Sequence, residues 1–179
     1  QCTSSTFALR SLGVPFLGVY GACSTMAESL LVTSMVVGGG FADKVAAMTS
    51  SHFASSERQY RFPLGYGGQR TPTAQWTVTG AGAALICSSG TGPRIECGTI
   101  GTVKDLGVKD ANNMGAAMAP AALSTIKTHL NDFGIDANAY DLIVTGDLGH
   151  HGKEALLNLA RLEGISLGGR LVDCGCMIF

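Results

Sequence analysis

Residues 14–31 read VPFLGVYGACSTMAESLL, and the fold is decided here. After Pro15, the residues Phe16, Leu17, Val19 and Tyr20 form a short apolar run, the pattern of a strand covered on both faces. Gly21, Ala22 and Cys23 are small residues where the chain must reverse. Ser24 and Thr25 carry hydroxyls suited to capping, and Glu28 falls in the first helical turn, where its charge suits the positive end of the helix dipole. Met26, Leu30 and Met35 continue as apolar positions of a buried helix. The expected unit is a strand, a sharp turn with one thiol, and a helix. A thiol at a helix N-terminus meets unpaired N–H groups and partial positive charge, and both favour the nucleophilic thiolate. Cys23 therefore has two readings: a reactive or ligand-facing group, or a small core residue, since free cysteine is among the most buried types.

Working outward, Phe7 to Leu12 reads as the end of a helix closed by Gly13, and Gly38-Gly39-Gly40 closes the helix after Cys23. Lys44 to Ser50 reads as the next buried strand, and two parallel strands joined by a helix would make a βαβ unit. His52 then stands at the carboxyl end of that strand, the edge where sites gather in open α/β sheets. Cys23 is expected at the equivalent edge, so the two residues are expected to face one cleft. The alternative for His52 is a loop histidine without chemistry.

Residues 55–76, SSERQYRFPLGYGGQRTPTAQW, change texture and read as a long ordered loop with Arg58, Arg61, Arg70 and several aromatics. Arginines among aromatics suit an anionic aromatic ligand, through bidentate pairing and stacking. They equally suit a subunit contact or a solvated loop. Thr77 to Ser88 and Ile95 to Val103 read as an antiparallel hairpin. Met114 to Phe133 reads as a long helix, Gly- and Ala-rich at its start, with Pro120 expected to kink it and Gly134 to close it. His129, near its C-terminus, needs no role beyond favourable dipole placement. Tyr140 to Thr145 is a strand ending in Gly146-Asp147, Lys153 to Leu162 an amphipathic helix, and Arg170 onward a last strand running towards Phe179. Asp147 again falls at a strand's carboxyl end. The His150-His151 pair invites a metal reading, but no third ligand has suitable spacing, so no metal is assigned.

Composition narrows the classes. Of 179 residues, 46% are hydrophobic and 14% charged, which is a core-rich globular chain and not a disordered one. A net charge of −1 without a basic run offers no footprint for nucleic acid. The six cysteines show no zinc-site spacing and point to a reducing compartment. No signal peptide and no apolar run long enough for a membrane span is visible. The start at Gln1 and the apolar end at Phe179 give the expectation of a fragment.

Taken in order, GACSTMAESL, then AMTSSHFASSERQYRFPLGYGGQRTPTAQWTVTGAGAAL from Ala47, then NNMGAAMAPAALSTIKTHL, YDLIVTGDL and VDCGCMIF closely resemble the stage V sporulation protein AD family, over essentially the whole chain. The resemblance implies an α/β, thiolase-like fold: two pseudo-symmetric βαβαβ-type halves layered α-β-α-β-α. Residues 1–113 would be the rear part of the N-terminal half and 114–179 the front part of the C-terminal half. The resemblance also implies binding of dipicolinic acid, or its calcium complex, in a thiolase-like cleft, and its uptake into the developing spore. Membrane proteins of the same sporulation operon are the implied partners, with a homodimer as the expected assembly. The place is the cytoplasm or the periphery of the spore inner membrane, and no cofactor is implied.

Cys23 matches the nucleophilic cysteine of thiolases and ketoacyl synthases. In type III ketoacyl synthases a strand of the second half ends in Val-Pro-His-Gln, whose histidine activates the chemistry. The comparable strand here ends Val144-Thr145-Gly146-Asp147. A carboxylate there would repel a developing oxyanion, which favours a cleft reused for binding. The expected ligand-binding residues are Cys23, His52, Arg58, Arg61 and Asp147. The alternative is a condensing-type acyltransferase with Cys23 as nucleophile and His52 as an unusual base. A third possibility is a structural partner in a membrane-bound complex.

Overall fold

The structure is a computed structural model and describes residues 4–55, 71–75 and 77–178. The chain divides into two compact units, Gln1–Tyr66 with Thr77–Glu96, and Gly67–Trp76 with Cys97–Phe179.

The first unit begins with α1 (Ser4–Leu9), drawn out by a tight turn at Arg10–Leu12 and stopped by Gly13 in the left-handed region. The strand expected from Phe16 to Tyr20 does not form. Residues 13–21 are irregular, and Phe16, Leu17 and Tyr20 are exposed by 45%, 72% and 48%. An apolar run becomes a strand only when another strand completes its ladder, and among the described residues none does. Helix α2 (Thr25–Gly38) follows as expected, with Gly39 at its C-cap and Gly40 at φ 73°. Its buried positions are Ser29, Thr33 and Val37, in place of the expected Met26, Leu30 and Met35, of which Met35 is exposed.

Strand β1 (Lys44–Ser51) pairs antiparallel with β2 (Gly80–Cys87), in register from Lys44↔Cys87 to Ser51↔Gly80. The parallel βαβ unit expected around Cys23 is therefore absent. The hairpin expected between residues 77–88 and 95–103 is replaced by this longer-range pair, and 95–103 carries no strand. Ala47 is the one fully covered residue of β1. Helix α2 is pinned to the strand where Met48 N donates to Ser29 Oγ at 3.1 Å.

The second unit is built on α3 (Met114–Phe133) and α4 (Gly149–Leu162). Asn113 Oδ1 caps α3 by accepting from Ala116 N at 3.2 Å, and Gly134 closes it at φ 63°. Pro120 lies inside α3, which runs through it without a break in assignment. Strands β3 (Ile143–Thr145) and β4 (Leu171–Asp173) pair in parallel, joined through α4, so the βαβ arrangement occurs in this unit. Beyond Asp173 the expected strand gives way to a short helix, α5 (Cys174–Ile178).

Burial in α4 recurs at Gly152, Leu156 and Ala160, a spacing of four that places them on one face. In α3 it recurs at Gly115, Ala119 and Leu123. The core joins these faces with Leu130, Ala137, Leu148, Leu167 and Leu171. The helices meet most closely at two glycines. A Cβ on Gly115 would lie 2.9 Å from Gly152 Cα, and one on Gly152 would lie 2.8 Å from Gly115 Cα.

Candidate functional site

Cys23 lies in a tight turn, Ala22–Ser24, at the head of α2, and is exposed. Ala22 has φ 51°, the only non-glycine with positive φ among the described residues, in a region that costs an L-residue roughly 1–2 kcal/mol. The expected caps act differently from the sequence reading. Ser24 Oγ donates to Gly21 O at 2.8 Å, Thr25 Oγ1 donates to Ala22 O at 2.8 Å, and Thr25 Oγ1 accepts from Gly21 N at 3.2 Å. Both hydroxyls brace the strained turn, and neither caps the helix. Glu28 packs beneath the turn. Its Oε2 is buried without a hydrogen-bond partner among the described residues, at 2.7 Å from where a Cβ on Gly21 would stand, so a side chain at position 21 would displace Glu28.

His52 directly follows β1 and is exposed. Its Nδ1 accepts from Ala54 N at 3.3 Å, which leaves the ring proton on Nε2 in the neutral form. Its ring stacks on Phe53 at 6.0 Å. The end of the strand is tied to β2's approach by Ser51 Oγ donating to Val78 O at 2.6 Å and Phe53 N donating to Thr79 Oγ1 at 3.0 Å. No hydrogen bond joins Cys23 to His52. Arg58 and Arg61 lie outside the described residues.

In the second unit, Asp147 follows β3 in the turn before α4, as its sequence position implied. Its backbone O accepts from Nε2 of the buried Gln75. Its carboxylate stands against the backbone of residue 175, where a Cβ would lie 2.6 Å from Asp147 Cγ, so a side chain there would displace the carboxylate. An open cavity of about 220 Å³ borders this turn, lined among others by Gln75, Asn113, Asp147, His150, His151 and Cys176. His150 and His151 belong to the first turn of α4, not to a loop. Among the described residues no group of three His, Cys, Asp or Glu is placed to hold a metal ion.

The residue that organises this site was missed in the sequence. Asp173, at the end of β4, is 0% exposed. Its Oδ2 accepts from Thr145 Oγ1 at 2.9 Å and Leu148 N at 2.8 Å, and its Oδ1 from Gly149 N at 3.1 Å and Cys176 N at 3.2 Å. Four donors satisfy both oxygens, as a buried carboxylate requires. The available signal was an acid at a strand end directly before small residues, which is the pattern of an N-cap. Burial pushes the Cys176 thiol above its usual range. The charge and hydrogen bond of Asp173 add to this, Lys153 opposes it, and Asp147 adds a further push. A second arrangement joins the irregular stretch before α3 to the helix. His129 Nδ1 meets Thr99 Oγ1 at 2.8 Å, His129 Nε2 meets Tyr140 OH at 2.6 Å, and the ring lies 4.8 Å from that of Phe133. His129 thus has a structural role that dipole placement alone did not suggest.

Comparison with known proteins gives three findings. The family model described as stage V sporulation protein AD matches residues 1–179. Stage V sporulation protein AD of Bacillus subtilis (strain 168) is 45% identical over 179 residues, covering 100% of this chain and 53% of that protein. The chain thus spans about half the length of the curated relative it matches. Among solved structures, AbyA1, a tetronic acid condensing enzyme, is similar with a TM-score of 0.56 and 17% identity, over 90% of this chain and 54% of that one. That likeness is one of fold, an α/β arrangement shared with that enzyme. No helix among the described residues is long and apolar enough to cross a membrane.

Proposed function

This chain belongs to the stage V sporulation protein AD family, and from that premise we propose that it is a binding protein built on a condensing-enzyme scaffold. Its ligand is dipicolinic acid or the calcium complex of that acid, and its role is to support uptake of the ligand into the developing spore. Membrane proteins of the same sporulation operon are its partners in this reading. It works as a homodimer, in the cytoplasm or peripherally at the spore inner membrane.

A flat, aromatic dianion calls for positive charge, hydrogen-bond donors and an apolar wall. Cys23 offers an exposed thiol at the head of α2. His52 offers an Nε2–H, because its Nδ1 is engaged with Ala54 N. Arg58 and Arg61 enter by their chemistry in the sequence, as bidentate partners for carboxylates. Asp147 enters as a wall residue.

One observation carries binding over catalysis. A carboxylate, Asp147, stands after β3 in space that the missing side chain of Gly175 leaves open. Acyl condensation needs donors aimed at a developing oxyanion, and a carboxylate opposes that charge. A second reading keeps one specific support: the exposed Cys23 in a turn strained at Ala22 is a geometry suited to a nucleophile, hence to a condensing-type acyltransferase.

Calorimetry of the full-length protein with dipicolinate, with and without calcium, separates these readings. Cys23→Ala and His52→Ala should each weaken binding about tenfold, as for loss of a hydrogen bond to a charged group. Unchanged affinity in both variants would move the site elsewhere. Incubation with acyl-coenzyme A should add no mass to Cys23. A thioester that forms and turns over would establish the acyltransferase instead.

A further inference from the structure

We propose that Asp173 is a positioning residue for the ligand site, acting through Asp147. This rests on the binding reading above. Asp147 lies between Gly146 and Leu148, and its backbone O accepts from Nε2 of the buried Gln75. Three of the four bonds to Asp173 bracket it: the Thr145 hydroxyl two residues before, then Leu148 N and Gly149 N just after. The fourth goes to Cys176 N, on another part of the same cavity wall. Gly175, between Asp173 and Cys176, supplies the space into which the Asp147 carboxylate fits. Asp173 itself is fully buried. It therefore cannot meet a ligand, and its influence must pass through what it holds.

The arrangement serves two helices with one carboxylate. Asp173 N-caps α5 through Cys176 N, and its negative charge also faces the first N–H groups of α4. An asparagine there keeps the shape but turns an NH2 group towards donors that need an acceptor. At least one of the four bonds is then lost, and the turn carrying Asp147 is released.

The test is a double-mutant cycle on the full-length protein, read by calorimetry with sodium dipicolinate with and without calcium. Asp173→Asn should shift the Kd by about fivefold or more in the native background, and by less than about twofold once Asp147→Ala is present, the coupling expected of residues in one network. Equal shifts in both backgrounds, or none in either, would overturn the assignment, because a general loss of structure adds to Asp147→Ala and does not vanish with it.

Gly175→Ala provides an independent arm should Asp173→Asn fold poorly. It keeps the Asp173 carboxylate, whose Oδ1 would lie 3.2 Å from the new Cβ, displaces the Asp147 carboxylate, which that Cβ meets far more closely, and should reproduce the Kd shift of Asp147→Ala. Wild-type affinity in Gly175→Ala would count against the proposal. Cys176 gives a local readout: Asp173→Asn should speed its alkylation at pH 8 while the labelling of Cys23 stays constant. Uniform acceleration at both cysteines would show unfolding and refute a positioning role. If the wild type does not bind dipicolinate at all, the ligand reading fails and this assignment falls with it. Binding with an additive cycle overturns this assignment alone.

Discussion

Gly152→Ala should destabilise the protein, although the same change inside most helices is favourable. Alanine in place of glycine gains up to about 1 kcal/mol from reduced backbone entropy in the unfolded chain and better helix propensity. At Gly152 the new Cβ would lie 2.8 Å from Gly115 Cα, 3.0 Å from Leu148 Cβ and 3.3 Å from Gly115 C. Carbon atoms rest at about 3.5–4 Å, so a separation of several tenths of an ångström must be found. Two of the three obstructing atoms are backbone, so no rotamer change relieves the clash. Helix α3 must move relative to α4, and the faces carrying Ala119, Leu123, Leu156 and Ala160 move with it. Such overpacking costs about 1–3 kcal/mol, which leaves a net loss of about 1 kcal/mol after the propensity gain. Urea unfolding of the full-length protein measures this as a lower midpoint at unchanged slope. Gly38→Ala is the control, since a Cβ there has nothing within 4 Å, and it should be neutral or stabilising. A Gly152→Ala midpoint equal to or above wild type would refute the claim that the two helices meet backbone to backbone.

Leu156→Ala should lose about 2–5 kcal/mol, because Leu156 is 0% exposed at the centre of the second unit's core, and the urea midpoint reads the loss. His129→Ala should lose about 1–3 kcal/mol by removing its hydrogen bonds to the Thr99 and Tyr140 hydroxyls, and hydrogen exchange should rise first in residues 97–103. For Cys176 the folded state holds its proton to higher pH than the unfolded chain does, so its contribution to stability is complete below the ordinary thiol range, near about pH 8.5, and is lost as pH rises through the folded value. Wild type should therefore lose stability relative to Cys176→Ser between pH 7 and 10, and parallel midpoints across that range would contradict it.

The helices were legible because their signals are local. Asn113 and Gly134 bound α3, and the triple glycine after Val37 bounds α2, each through chemistry within a few residues of the helix end. The Gly- and Ala-rich start of α3 is visible in the sequence, but its partner glycine lies in α4 and no periodicity names it. The strands were less legible. Phe16 to Tyr20 has a strand's composition and no ladder partner among the described residues, whereas Gly80–Cys87 finds β1 across a long separation instead of its chain neighbour. The candidate site was legible in part. Cys23 at a helix head, His52 after a strand and Asp147 after a strand are where residue order put them, while Asp173 looked like one more position in a final strand.

What residue order alone determined is therefore the set of local events: where helices start and stop, which small residues allow a turn at Cys23, and the family to which the chain belongs. Only the tertiary structure decided that Ser24 and Thr25 brace their turn instead of capping α2, that β1 pairs with β2, and that a buried Asp173 gathers Thr145, Leu148, Gly149 and Cys176 around two oxygens. The physical reason is range. Capping and backbone preference act within a turn of the chain, whereas ladder pairing and the satisfaction of a buried charge depend on groups up to a few dozen residues apart, which folding alone brings within about 3 Å.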